Sequence, residues 1–165
     1  MHASRFLLVL AFAAATTACD TTDLLYGTGG SAPVLPPEPV GTPAAWTVEV
    51  GTGETGYAPL GDGDLVAKQR GPQGGYHVWV ALRVGGKLPS GVDVELTVTS
   101  NGAIVSRAIS ESSPAPEPAP STFSTIFGLR AFVEADTTGA LVIVAKVIDP
   151  GNKAYAVGSR TVVVK

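Results

Sequence analysis

The chain has a single cysteine, a single methionine and two histidines in 165 residues. One cysteine excludes an intramolecular disulfide framework and a cysteine-rich zinc site. Charge is scarce: 15% of residues are charged, and 14 Asp and Glu against 11 Lys and Arg leave a net charge of −3. That balance excludes nucleic acid and a polybasic hold on a membrane surface. Aromatic residues make up 7%. The longest apolar run, Phe6–Ala15, falls short of the roughly 20 residues that span a bilayer. No heptad or helical amphipathic stretch follows it, which excludes a coiled coil. Glycine and proline, with 20 and 13 copies, and alternating β-branched residues are what the chain has in quantity.

The composition changes along the chain. Residues 19–43 hold Gly27-Thr28-Gly29-Gly30-Ser31 and then Pro33, Pro36, Pro37 and Pro39. Glycine makes the first part flexible and proline extends the second, so the segment reads as a disordered tether. From residue 44 to 165 the pattern turns to period two. Trp46, Val48 and Val50 alternate with Thr47 and Glu49; Tyr76, Val78, Val80, Leu82 and Val84 with His77, Trp79, Ala81 and Arg83; Val92, Val94, Leu96 and Val98 with Asp93, Glu95 and Thr97. Each set predicts a strand with one face in a core. Leu65–Arg70, Ala103–Ile109, Ile126–Glu134, Leu141–Ile148 and Tyr155–Val164 predict further strands. About seven to nine short strands with turn residues between them predict an all-β, antiparallel sandwich. Ser100-Asn101-Gly102 and Asp149-Pro150-Gly151-Asn152 read as hairpin turns, and Ser113–Pro120 as a surface loop too proline-rich for a central strand.

The chemistry-bearing motifs are few. Gly51-Thr52-Gly53-Glu54-Thr55-Gly56 fits G-x-G-x-x-G, but Tyr57-Ala58-Pro59 follows where a dinucleotide site needs a helix. It reads as a glycine-rich loop between strands. Asp62-Gly63-Asp64 lacks the further oxygen ligands of a calcium loop and reads as a turn, with Glu54 as the only acidic residue near enough in sequence to add to it. His77 is the only histidine beyond the first residues, too little for a metal site, and no nucleophile elbow accompanies it. No cofactor and no catalysis are expected. The parity of the Tyr76–Arg83 strand puts His77, Trp79 and Arg83 on its outer face, with Gln73 and Tyr76 at the margin. Trp beside His and Arg makes a candidate binding patch. The alternative, which the residues favour, has Trp79 packed beneath a loop or strand edge.

Two segments resemble known families. Met1–Arg5 carries positive charge, Phe6–Ala15 is apolar, and Thr16-Thr17-Ala18-Cys19 is small up to the thiol. This order resembles the bacterial lipoprotein signal peptide with its lipobox, although Thr16 stands where that motif carries an aliphatic residue. The resemblance implies a signal peptide at 1–18, cleavage before Cys19 and a lipidated Cys19 bearing fatty-acyl chains such as palmitate. Asp20 resembles an inner-membrane retention signal of enteric bacteria, and the choice between inner and outer membrane stays open. Ala140–Lys165, with Asp149-Pro150-Gly151-Asn152 before a final Val-rich strand, resembles the last hairpin of bacterial immunoglobulin-like domains. Gly71-Pro72-Gln73-Gly74-Gly75-Tyr76-His77-Val78-Trp79 resembles a segment of secreted bacterial lipoproteins that comes with no biochemical role. The expectation is a lipid-anchored cell-envelope protein with a non-catalytic immunoglobulin-like domain, in the periplasm or at the cell surface. Its role is structural or protein-binding. A ligand-, glycan- or metal-binding module on the Tyr76–Arg83 strand is the alternative. The partners expected are a membrane through the lipid and an envelope protein or glycan, and oligomeric state is left undetermined.

Overall fold

The computed structural model describes residues 41–165. The 1–18 leader, Cys19 and the tether up to residue 40 lie outside the described residues. Eleven strands follow one another: β1 (Thr47–Thr52), β2 (Ala58–Pro59), β3 (Asp64–Val66), β4 (Gln69–Arg70), β5 (Tyr76–Gly85), β6 (Val92–Ser100), β7 (Ala103–Ser112), β8 (Ala115–Pro116), β9 (Phe123–Val133), β10 (Gly139–Ile148) and β11 (Tyr155–Val164). They form two sheets. One runs β2-β1-β5-β9-β8 with β4 beside β5, and the other runs β3-β11-β10-β6-β7. The order β1-β5-β9 facing β11-β10-β6 is that of an immunoglobulin-like sandwich.

The core lies between the sheets and comes from alternate positions of each strand. Val78, Val80, Leu82 and Val84 of β5 face Val92, Val94, Leu96 and Val98 of β6 and Leu141, Ile143, Ala145 and Val147 of β10, all buried. Period two is therefore read correctly for the inward faces. Asn101 (φ 50°) and Gly102 (φ 79°) close the β6–β7 hairpin, with Ser100 paired to Ala103. Both central residues at positive φ give the turn whose twist suits a hairpin. At the β10–β11 hairpin the Gly151 amide donates to Asp149 Oδ1 and the Ala154 amide to Asn152 Oδ1, each at 2.8 Å.

Three differences from the sequence expectation have physical causes. Strands outnumber the seven to nine expected because β2, β4 and β8 are two-residue pieces. Leu65–Arg70 is not one strand: β3 pairs parallel with β11, and β4 pairs antiparallel with β5 in the other sheet. The crossover at Ala67-Lys68 is held by the Lys68 ammonium, which donates to the carbonyls of Ala135 (2.6 Å) and Thr137 (2.8 Å). Pairing also starts before residue 44, since Thr42 and Ala44 exchange backbone hydrogen bonds with Tyr155.

Candidate functional site

The outer face of the β1-β5-β9 sheet carries the candidate residues. His77, Trp79, Ala81 and Arg83 of β5 lie on it, as the parity predicts. On β9, Phe132 sits opposite His77 and Arg130 opposite Trp79, close enough for side chains to touch. The β5–β9 register slips between Val80 and Leu82, where Phe127 and Gly128 of β9 stand against Ala81. Gly128 takes φ 74° there and marks a β-bulge. Its amide donates to the Gly53 carbonyl (3.1 Å). Gly51 and Thr52 of the expected loop belong to β1; the Gly53–Gly56 remainder crosses over β5 to reach β9, and Ala81 beneath it is fully buried. Thr52 Oγ1 donates to the Trp79 carbonyl (2.8 Å) at the loop's base. The crossing divides the face in two.

One half centres on His77 and Trp79. Trp79 is half-buried, and its Nε1 donates to Gln69 Oε1 of β4 (2.8 Å). The Arg130 guanidinium lies 5.2 Å from the Trp79 ring, a cation–π distance. His77 meets Trp79 edge to face at 4.6 Å. It is only 4% exposed, and its Nε2 has no hydrogen-bond partner. Burial holds the imidazole below its ordinary pKa; the nearby Arg130 charge adds to this and Glu54 opposes it. A cleft of about 370 Å³ opens here, lined by Gly71, Pro72, Gln73, Gly75, His77, Arg130 and Phe132.

The other half is a clamp. Arg83 donates to both carboxylate oxygens of Glu117 (2.8 and 3.1 Å), lies 3.5 Å from Glu49 and stacks 3.8 Å over the Phe123 ring. Ser121 Oγ donates to Glu117 (2.6 Å). Hydrogen bonds from Arg83 and Ser121 hold the Glu117 carboxyl below its usual range. These contacts pin the proline-rich segment, whose β8 pairs with Thr125 and Ser124 of β9. Burial and the Glu49 carboxylate push the Tyr57 phenol up beside this cluster.

The structure thus brings Gln73, His77 and Trp79 together. It places Arg83 in the clamp beyond the loop. It turns Tyr76 toward the core, with Lys68 Nζ 5.8 Å from its ring. Sequence reasoning missed Gln69, Arg130 and Phe132. The alternation in Ile126–Glu134 marks Arg130 and Phe132 as outward, but not that β9 neighbours β5. Asp62 and Asp64 form the expected turn: Asp64 Oδ2 accepts from the Gly61 amide (2.6 Å), and Asp62 Oδ1 accepts from the Thr161 amide (3.1 Å). Among the described residues no three His, Cys, Asp or Glu side chains converge as metal ligands.

No protein-family model matches the chain, and no curated protein matches it. Among solved structures, the N-terminal domain of PorA is similar at 12% identity over 72% of this chain and 98% of that one, with a TM-score of 0.30.

Proposed function

We propose that this chain is a lipid-anchored protein of the bacterial cell envelope whose sandwich is a non-catalytic interaction module on a Gly- and Pro-rich tether. The lipobox-like order ending in Ala18-Cys19 supports the anchor. Each buried methylene contributes about 0.8 kcal/mol, so two or more acyl chains on Cys19 hold the protein stably where one holds it marginally. The observation that carries the interaction reading is the outer face of the β1-β5-β9 sheet. There Phe132 is 49% exposed and Phe127 43% exposed, on the strand that brings Arg130 over Trp79. Aromatic rings and arginine are the residue types enriched where proteins recognise partners.

Two measurements test this reading. Mass spectrometry of the mature protein is expected to find an acylated Cys19 at the N-terminus, and Cys19→Ser to release the protein from membranes or stall its processing. An unmodified start at another residue refutes the anchor. A photo-crosslinking residue at Phe132 is expected to capture one discrete envelope partner in intact cells, while the same probe at Val157 on the opposite sheet does not. Equal labelling at both positions refutes the face. A second reading, the small-ligand module, is favoured by the cleft beside His77.

A further inference from the structure

We infer that the cleft between the Gly71–Gly75 turn and β9 is a binding site for a small carboxylate on a six-membered ring, a sugar acid or an aromatic acid. The inference rests on the binding reading of this face and is independent of the lipid anchor.

Three features of the cleft set the ligand's chemistry. Arg130 is exposed, and among the described residues no carboxylate pairs with it. Arg83, Arg107 and Arg160 each have an acidic partner, whereas Arg130 and Arg70, exposed on β4, have none among the described residues. A guanidinium held over a tryptophan ring keeps its outer donors for a planar oxyanion, which it takes in bidentate fashion. Phe132, 49% exposed, forms a flat apolar wall on the same strand two residues on. It suits the face of a ring. His77 forms the third wall: it is 4% exposed, Nε2 has no partner, and Nδ1 faces Gly71. Nε2 is enclosed, so Nδ1, beside Gly71, is the nitrogen that the cleft presents to a ligand. His77 held neutral keeps one donor and one acceptor nitrogen, fitting a ligand hydroxyl or carboxyl oxygen.

The turn leaves the cleft accessible. Cβ atoms at Gly74 and Gly75 would meet nothing within 4 Å, so no side chain crowds the opening. The volume, about 370 Å³, lies at the small end of ligand sites and fits one ring with its substituents. The carboxylate then lies on Arg130, the ring against Phe132, and a ring substituent at His77.

The test uses the full chain, purified from whichever cell fraction holds it, and saturation-transfer NMR with four probes: glucuronate, glucose, benzoate and benzyl alcohol. Binding of glucuronate or benzoate with a dissociation constant of about 1 mM is expected, as ligands of this size bind, with each neutral counterpart at least about tenfold weaker. The stronger of the two acids assigns the skeleton as sugar or aromatic. Arg130→Gln is expected to lower affinity about tenfold or more. Gly71→Ala provides a variant that folds: its Cβ would lie 3.5 Å from the Gly75 carbonyl oxygen and 3.9 Å from His77 Nδ1, both ordinary contacts. It fills the space beside Nδ1 and is expected to weaken binding about tenfold with the melting temperature unchanged. Absence of binding by both acids, neutral probes that bind equally well, or unchanged affinity in Gly71→Ala and Arg130→Gln overturns the site. These results are read on purified protein. Loss of the crosslink at Phe132 with the acids still bound refutes the protein-partner reading alone.

Discussion

Gly158→Ala tests how the two sheets meet. Gly158 sits in β11 opposite Ala145, and its bare Cα lies under the β1 backbone. A Cβ there would overlap the Val48 carbonyl oxygen and come within 2.9 Å of Val48 Cγ1. The obstacle is backbone, so it does not rotate away; β1 must retreat by roughly 1 Å to restore ordinary contact. Overpacking of this kind costs about 1–3 kcal/mol. A clash with backbone lies in the upper half of that range, about 2–3 kcal/mol; replacing glycine by alanine within a strand returns about 0.5–1 kcal/mol of backbone entropy, so the net loss is about 1–2.5 kcal/mol. For a domain of this size that lowers the melting temperature by about 3–10 °C. The control is Gly91→Ala, where a Cβ meets nothing within 4 Å and the entropic gain stands alone, about 0.4–1 kcal/mol of stabilisation. Thermal melts followed by circular dichroism on residues 20–165 compare the two. A Gly158→Ala protein that melts with or above the parent refutes the close β1–β11 approach.

Two further predictions concern the core and His77. Val94 is fully buried and pairs with Val147, so Val94→Asp buries an unpaired charge and costs about 4 kcal/mol or more; a near-parental urea midpoint contradicts the assigned strand face. His77 has a folded pKa below 6.5 through burial, so between that value and 6.5 the unfolded chain binds the proton that the folded chain refuses. Stability therefore rises with pH through that window, by at most about 1.4 kcal/mol per unit, and is flat above it. Urea midpoints are expected to fall on acidification from about pH 7 to 5, less steeply in His77→Phe, and an identical slope in both proteins refutes the buried neutral imidazole.

The inward faces of the strands were legible because burial on one side writes itself into every second residue. Val92, Val94, Leu96 and Val98 are apolar and buried, while Asp93 and Glu95 between them are half-exposed. The β6–β7 turn was legible because few residue pairs tolerate positive φ twice, and Asn101-Gly102 is one. The switch at Ala67-Lys68 was not. Local sequence records which face is apolar and says nothing of which sheet a strand joins. No glycine or proline marks the crossing, and its Lys68 contacts are with residues 135 and 137, far along the chain.

The candidate site shows the same division more sharply. Trp79 and His77 share a face by parity, which sequence supplies; the arginine that accompanies them is Arg130, not Arg83, which parity cannot tell. Two facts from outside the strand decide it. One is that β9 pairs with β5. The other is the bulge at Phe127–Gly128, whose freed amide anchors the loop over Ala81. The glycine motif acquires a different purpose in that light. Gly51 leaves room for the Tyr57 ring, since a Cβ would stand 2.6 Å from its Cε2, and Gly53 takes φ 143° where the loop turns toward β9. A Cβ at Gly128 would come within 3.0 Å of the Glu54 carbonyl oxygen. A side chain at Gly128 would thus press on the loop and be strained at φ 74°. Gly51, Gly53 and Gly128 let the chain cross closely over β5, between the Arg83 clamp and the His77 cleft.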